Sequence, residues 1–118
     1  MKNVEVKGLG ITLTDTLREH TLRRINSAFN RIADRIGRVT VRVGDMNGPR
    51  GGCDKYCRVL VRIPGQEDVY VEAACEDLYE AIGRAAERAA WTARRRLRSA
   101  LFRRRTAWPG MPEPAEAL

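Results

Sequence analysis

The chain has 118 residues, 43% of them hydrophobic, and a formal net charge of +7, which suits one domain with a real core and leaves no room for two. No stretch approaches the roughly 18 unbroken apolar residues of a membrane span, and Met1 to Gly10 has no apolar signal-peptide core, so a cytoplasmic protein is expected. Three cysteines without a Cys-x-x-Cys pair do not suggest a disulfide framework. Cys53, Cys57 and Cys75 with the single distant His20 do not make a zinc site; neither metal nor cofactor is expected.

Asn3 to Lys7 alternates apolar and polar residues and predicts a short strand, broken by Gly8 to Gly10. From Thr14 the period becomes helical. Thr16 with Glu19 fits a capping box, Leu17, Thr21, Ile25, Ala28, Phe29, Ile32 and Ile36 share one face, and Gly37 is expected to end the helix as a left-handed C-cap. The opposite face carries His20, Arg23, Arg24, Ser27, Asn30 and Arg31, a weak basic surface on which His20 reads as an exposed contact residue. Arg38 to Gly44 sets Val39, Val41 and Val43 against Arg38, Thr40 and Arg42, the pattern of a half-buried strand. Asp45 to Lys55 is a loop rich in Gly, Pro, Asn and Asp, without the Gly-Lys-Ser/Thr ending of a phosphate cradle; Asp54 and Lys55 read as a turn-stabilising pair. Tyr56 to Ile63 and Glu67 to Cys75 form two further strands joined at Pro64, Gly65 and Gln66, and parity places Cys57 and Cys75 in the core.

Glu76 to Arg105 is the long second helix, with Glu76 or Asp77 as its cap. Leu78, Ile82, Ala85, Ala89, Ala93 and Leu97 recur at the spacing of a core-facing stripe. Opposite them, Arg84, Arg88, Arg95 and Arg98 lie within about 40° of one line. Trp91 falls on this arginine rail, where it either stacks on a base or an arginine or packs against the first helix, the reading preferred from sequence. Nine arginines but a single acid, Glu87, lie between Arg84 and Arg105, so pairing within the helix cannot neutralise the face and a polyanionic partner is implied. Residues 106–118 contain three prolines and two acids and predict a flexible tail on a domain of residues 1–105.

The order β-α-β-β-β-α implies an α+β fold: a four-stranded sheet with two helices packed on one face, and the two basic helix faces directed to the same side. A groove between two basic helices suits an RNA backbone, because guanidinium groups hold phosphate oxygens in forked pairs. Three rival classes fare worse. An enzyme would need a nucleophile with a matched base or paired carboxylates, and neither is present. A helix lying on an anionic membrane would have to spend an alanine face that the core needs. The main rival is a general structured-RNA-binding module using the same basic face; a dedicated duplex-RNA binder would be expected to have a basic start to the last helix, where Glu76, Asp77 and Glu80 are acidic.

Three motifs in the order of this topology resemble the ribosome hibernation-promoting factor and ribosome-associated inhibitor family. They are Glu76-Asp77-Leu78-Tyr79-x-Ala81-Ile82 at the second helix, Leu13-Thr14-Asp15-x-Leu17-Arg18-Glu19 at the first, and Asn47-Gly48-Pro49-Arg50-Gly51-Gly52-x-Asp54-Lys55-x-Cys57-Arg58, similar to a variant of short bacterial members. The resemblance spans about Val4 to Leu101. It implies a βαβββα domain, like double-stranded RNA-binding domains in shape, that acts as a monomer of the short form. Such a domain would bind rRNA in the tRNA and mRNA channel of the small ribosomal subunit, compete with tRNA, mRNA and initiation factors, and block initiation on idle ribosomes under stress. By position, Arg88, Arg95 and Arg24 match basic residues of the family; Arg31, Arg84 and Arg98 join them from their place on the helix faces. Trp91 stands where the family commonly has a basic or polar residue, and Ser27 and Asn30 where it often has lysine.

Overall fold

The computed structural model describes residues 3–45 and 54–106, with side chains described to residue 100. Its elements are β1 (Val4–Leu9), α1 (Asp15–Phe29), a 3-10 segment (Asn30–Arg35), β2 (Arg38–Asp45), β3 (Lys55–Arg62), β4 (Val69–Cys75) and α2 (Leu78–Thr106). Residues 46–53 and 107–118 lie outside the described residues, and with them Cys53, most of the Gly-rich loop and the expected tail. No helix among the described residues is long and apolar enough to cross a membrane.

The strands form one sheet in the order β1-β2-β3-β4. β1 runs parallel to β2 after the α1 crossover, and β2, β3 and β4 follow as an antiparallel meander. Alternation fixes the register: Val39 faces Val61, Val41 faces Val59 and Val43 faces Cys57, and all six are fully buried beneath the helices. A one-residue slip would turn every one of these side chains to solvent. Burial pushes the Cys57 thiol up to about 12, so it stays protonated and acts as a small core hydrophobe. Gly65, with φ of 80°, turns the chain from β3 to β4.

α1 starts two residues earlier than its capping-box pattern suggests. Thr14, extended at φ −74° and ψ 161°, accepts a hydrogen bond from the Leu17 amide at 3.1 Å, so Thr14 and not Thr16 is the cap. The helix then buries Leu17, Thr21, Ile25 and Phe29, the Thr21 hydroxyl being satisfied by the Leu17 carbonyl at 2.8 Å. Its end also differs from expectation. The α-helix stops at Phe29, a kinked 3-10 segment follows, and Gly37 is not left-handed. The tighter segment swings the chain from the helical layer to the sheet, which puts extended Ile36 into the core and lets the Gly37 amide donate to the Arg62 carbonyl at 2.9 Å.

α2 is capped by Asp77, whose carboxylate accepts from the Tyr79 amide at 3.1 Å. Its covered face is built from Ala81, Ile82, Ala85, Ala86, Ala89, Ala90 and Ala93, all at 0–1% exposure. Because the seam is alanine at every one of these positions but Ile82, the helix lies close against β3 and β4. Arg96 ties its later turns to the approach of β4 by donating to the Glu67 and Asp68 carbonyls, both at 2.9 Å. The close approach makes a direct prediction: Ala89→Leu overpacks the seam and destabilises the domain by about 1–3 kcal/mol, read as a lower urea midpoint. An unchanged midpoint would mean that the helix stands further from the sheet.

Candidate nucleic-acid interface

The two helices run parallel along one side of the sheet. His20 lies at the start of α2 against Tyr79, Arg24 meets Glu87, and the Arg94 guanidinium donates to the Ala28 carbonyl at 3.3 Å. The seam on α2 therefore follows Gly83, Glu87, Ala90 and Arg94, one edge of the helix between its buried and exposed faces. Above this seam opens a groove of about 670 Å³ lined by Arg24, Arg31, Arg88, Trp91, Arg94 and Glu87, among others.

Each expected site residue has a definite place. Arg24 and Arg31 on the α1 side and Arg88 on the α2 side line the groove. Arg24 is held in position: its guanidinium bonds the Glu87 carboxylate at 3.1 Å, and a Cβ added to Gly83 would stand 2.9 Å from one of its terminal nitrogens. Glycine in a helix interior costs about 1 kcal/mol relative to alanine, and here it leaves room for the arginine. Arg84 sits further toward the helix start, paired with Glu80 one turn away at 2.7 Å. Arg88, Arg95 and Arg98 are exposed on the outer face of α2 without an ion pair among the described residues. Arg98 does not line the groove, and Arg95 stands at its lip with its guanidinium 4.8 Å from the centre of the Trp91 ring.

Trp91 differs from the packing role preferred from sequence. It is 54% exposed, with one face carrying Arg95, so ring and cation form an exposed shelf beside the groove. His20 also differs, being half-buried rather than exposed. Its ring meets Tyr79 edge-on at 4.6 Å, and its Nε2 is buried without a hydrogen-bond partner. Burial and the neighbouring Arg24 and Arg23 charges lower its pKa. Sequence reasoning passed over Arg94 and Glu87 as groove residues, since both fall beside the arginine rail; their i, i+4, i+7, i+11 spacing with Gly83 and Ala90 was the available signal. Asp54 and Lys55 do pair, at 3.7 Å, but Lys55 also bonds Asp45, its cross-strand neighbour, and the hydrogen bond that the ammonium donates to the Asp45 carboxylate raises the lysine pKa. This pair closes the end of the β2–β3 ladder.

The groove presents arginine donors from both helices, the Glu87 carboxylate and a flat, exposed aromatic ring. Among the described residues no three His, Cys, Asp or Glu side chains are grouped to hold a metal ion.

Residues 4–100 match the model of the sigma 54 modulation protein / S30EA ribosomal protein family. The chain belongs to this family. No curated protein matches the sequence. Among solved structures, it is similar to a ribosomal subunit interface protein from Coxiella burnetii, with a TM-score of 0.67 at 16% identity over 79% of this chain and 94% of that one. It is also similar to the N-terminal domain of Thermus thermophilus Protein Y, with a TM-score of 0.65 at 25% identity over 79% and 97% of the two chains. Both likenesses support the fold, and family membership agrees with the resemblance read from the three motifs.

Because the clash at Gly83 involves only the flexible end of Arg24, Gly83→Ala is expected to keep or raise stability by up to about 1 kcal/mol while dislodging Arg24 from Glu87. In that background Glu87→Gln should change the thermal midpoint no further. A full additional effect would show that the ion pair survives the methyl group.

Proposed function

We propose that this protein is a ribosome-associated factor that binds small-subunit rRNA through the groove between α1 and α2, in the channel used by tRNA and mRNA, and so blocks initiation on idle ribosomes. The observation that carries the reading is the uncompensated arginine face of α2: the Arg88, Arg95 and Arg98 side chains are exposed and have no acidic partner in the described residues. Family membership, and the likeness in fold to a ribosomal subunit interface protein from Coxiella burnetii, support the ribosome as the source of the missing anion.

The chemistry follows from the geometry. Arg24 and Arg31 on one wall and Arg88 on the other approach a phosphodiester chain from two sides, and forked guanidinium bonds orient it. Arg84, Arg95 and Arg98 extend the contact along α2. Arg24 must exchange or share Glu87 as RNA arrives, whereas Arg88 has nothing to give up; Arg88 and Arg95 therefore contribute more per residue. Asp77 and Glu80 near the start of α2 repel phosphate at that end, which limits how far a long regular duplex can follow the groove. No step in this activity needs a bond to be made or broken: the protein acts by occupancy.

The test is the double substitution Arg88→Glu with Arg95→Glu, measured on purified vacant small subunits across a salt series. Binding should be abolished at moderate salt, and where it remains measurable the slope of log affinity against log salt should fall by about 2. The thermal midpoint should hardly move, because exposed charges contribute little to folding. Unchanged affinity with an intact fold would overturn the assignment.

A further inference from the structure

The face of the sheet turned away from the helices carries a second pattern. Its side chains come in rows across the strands. In one row Lys7, Arg42, Arg58 and Glu72 are register partners, and in another Arg38 faces Arg62. Between them runs a row of Glu5, Thr40, Leu60 and Tyr70. Two arginine pairs thus stand directly opposite each other on adjacent strands, where like charges destabilise a sheet. Arg58 is relieved by Glu72 at 2.8 Å and Arg62 by Asp68 at 3.8 Å, whereas Arg38 and Arg42 make no hydrogen bond or ion pair among the described residues and share only the longer-range field of Glu5, whose carboxylate is paired with Lys7 at 3.0 Å. The β3–β4 end of the middle row is apolar and open: Leu60 is 38% and Tyr70 59% exposed, the Tyr70 hydroxyl reaching the Glu72 carboxylate at 3.2 Å along the sheet. Tyr56 is not available in this way, since it is buried over Gly44 and beneath Arg58, whose guanidinium lies 4.6 Å from its ring centre.

We infer that this open sheet face is a second RNA-binding surface, taking an unpaired RNA strand with a base stacked on Tyr70 and Leu60 and phosphates on Arg38 and Arg42. Charge complementarity selects an anion, because the strand positions of this face hold five basic residues against Glu5 and Glu72. The exposed ring selects a single strand, because a duplex keeps its base faces covered while an unpaired base can lie flat on an aromatic platform. Arginine pairs that weaken the free sheet are relieved when phosphate arrives. The domain then grips RNA on both sides, with the helical groove on one and the sheet on the other.

The experiment measures fluorescence anisotropy of a labelled single-stranded oligouridylate, with a blunt RNA duplex for comparison, against the full chain and its variants. Tyr70→Ala should weaken single-strand binding about tenfold, and Tyr70→Phe, which keeps the ring, should restore it. Arg38→Glu with Arg42→Glu should reduce the salt slope by about 1.4 with the thermal midpoint kept or raised, since each change places a carboxylate opposite an arginine. Duplex binding should persist in these variants. Single-strand affinity unchanged in Tyr70→Ala, or lost equally for the duplex, overturns the inference. The variants leave the groove arginines intact, so the outcome is independent of whether the groove binds the ribosome.

Discussion

The packing of an alanine-faced helix on a valine-faced sheet is the constraint on which the rest depends. Ala81, Ala85, Ala86, Ala89, Ala90 and Ala93 give α2 a smooth side that lies flush on β3 and β4, and burial of that side fixes the rotation of the helix about its axis. Once the rotation is fixed, Arg88, Arg95 and Arg98 have nowhere to go but outward. The same small residues draw α1 close enough for Arg24 to reach Glu87 and for Arg94 to reach the Ala28 carbonyl. A bulkier seam would separate the helices and dissolve the groove while leaving every arginine in the sequence.

Electrostatics divides the arginines by purpose. Arg96 is spent on the backbone of the β3–β4 connection, Arg94 on the end of α1, and Arg24 and Arg84 are each restrained by one carboxylate. These ion pairs are exposed and contribute at most about 1 kcal/mol each, but they hold Arg24 at the groove and Arg84 further toward the start of α2. Arg88, Arg95 and Arg98 are left without an ion pair among the described residues, and on the proposed reading they carry the attraction for an anion. Arg95 is steadied instead by the Trp91 ring, which orders it without neutralising it.

Much of the fold was legible because its core obeys simple periods. Valines at every second position placed β2, β3 and β4, and the alanine stripe placed α2 and its arginine face. Asp77 was readable as a cap because a carboxylate suits the positive end of a helix. The sequence misled at the end of α1, where Ile32 and Ile36 continue the helical spacing although Phe29 is the last α-helical residue: spacing does not distinguish a helix from a 3-10 turn that delivers the same side chains to the core. Thr16 mimicked a cap because Glu19 stands three residues on, yet Thr14 has the extended backbone. In the candidate site, the rail was visible on one helix alone, whereas the groove was not, because which edge of α2 meets α1 is decided by Gly83 and Ala90 against Arg24 and Ala28. Trp91 remained ambiguous for the same reason.

The most direct measurement is sedimentation of the purified protein with vacant small ribosomal subunits, at low and moderate salt, with tRNA as competitor. The account predicts retention on the small subunit, weakening steeply as salt rises, and displacement by tRNA bound in the channel. Retention unaffected by tRNA, or equal retention on any duplex RNA without preference for the subunit, would contradict it.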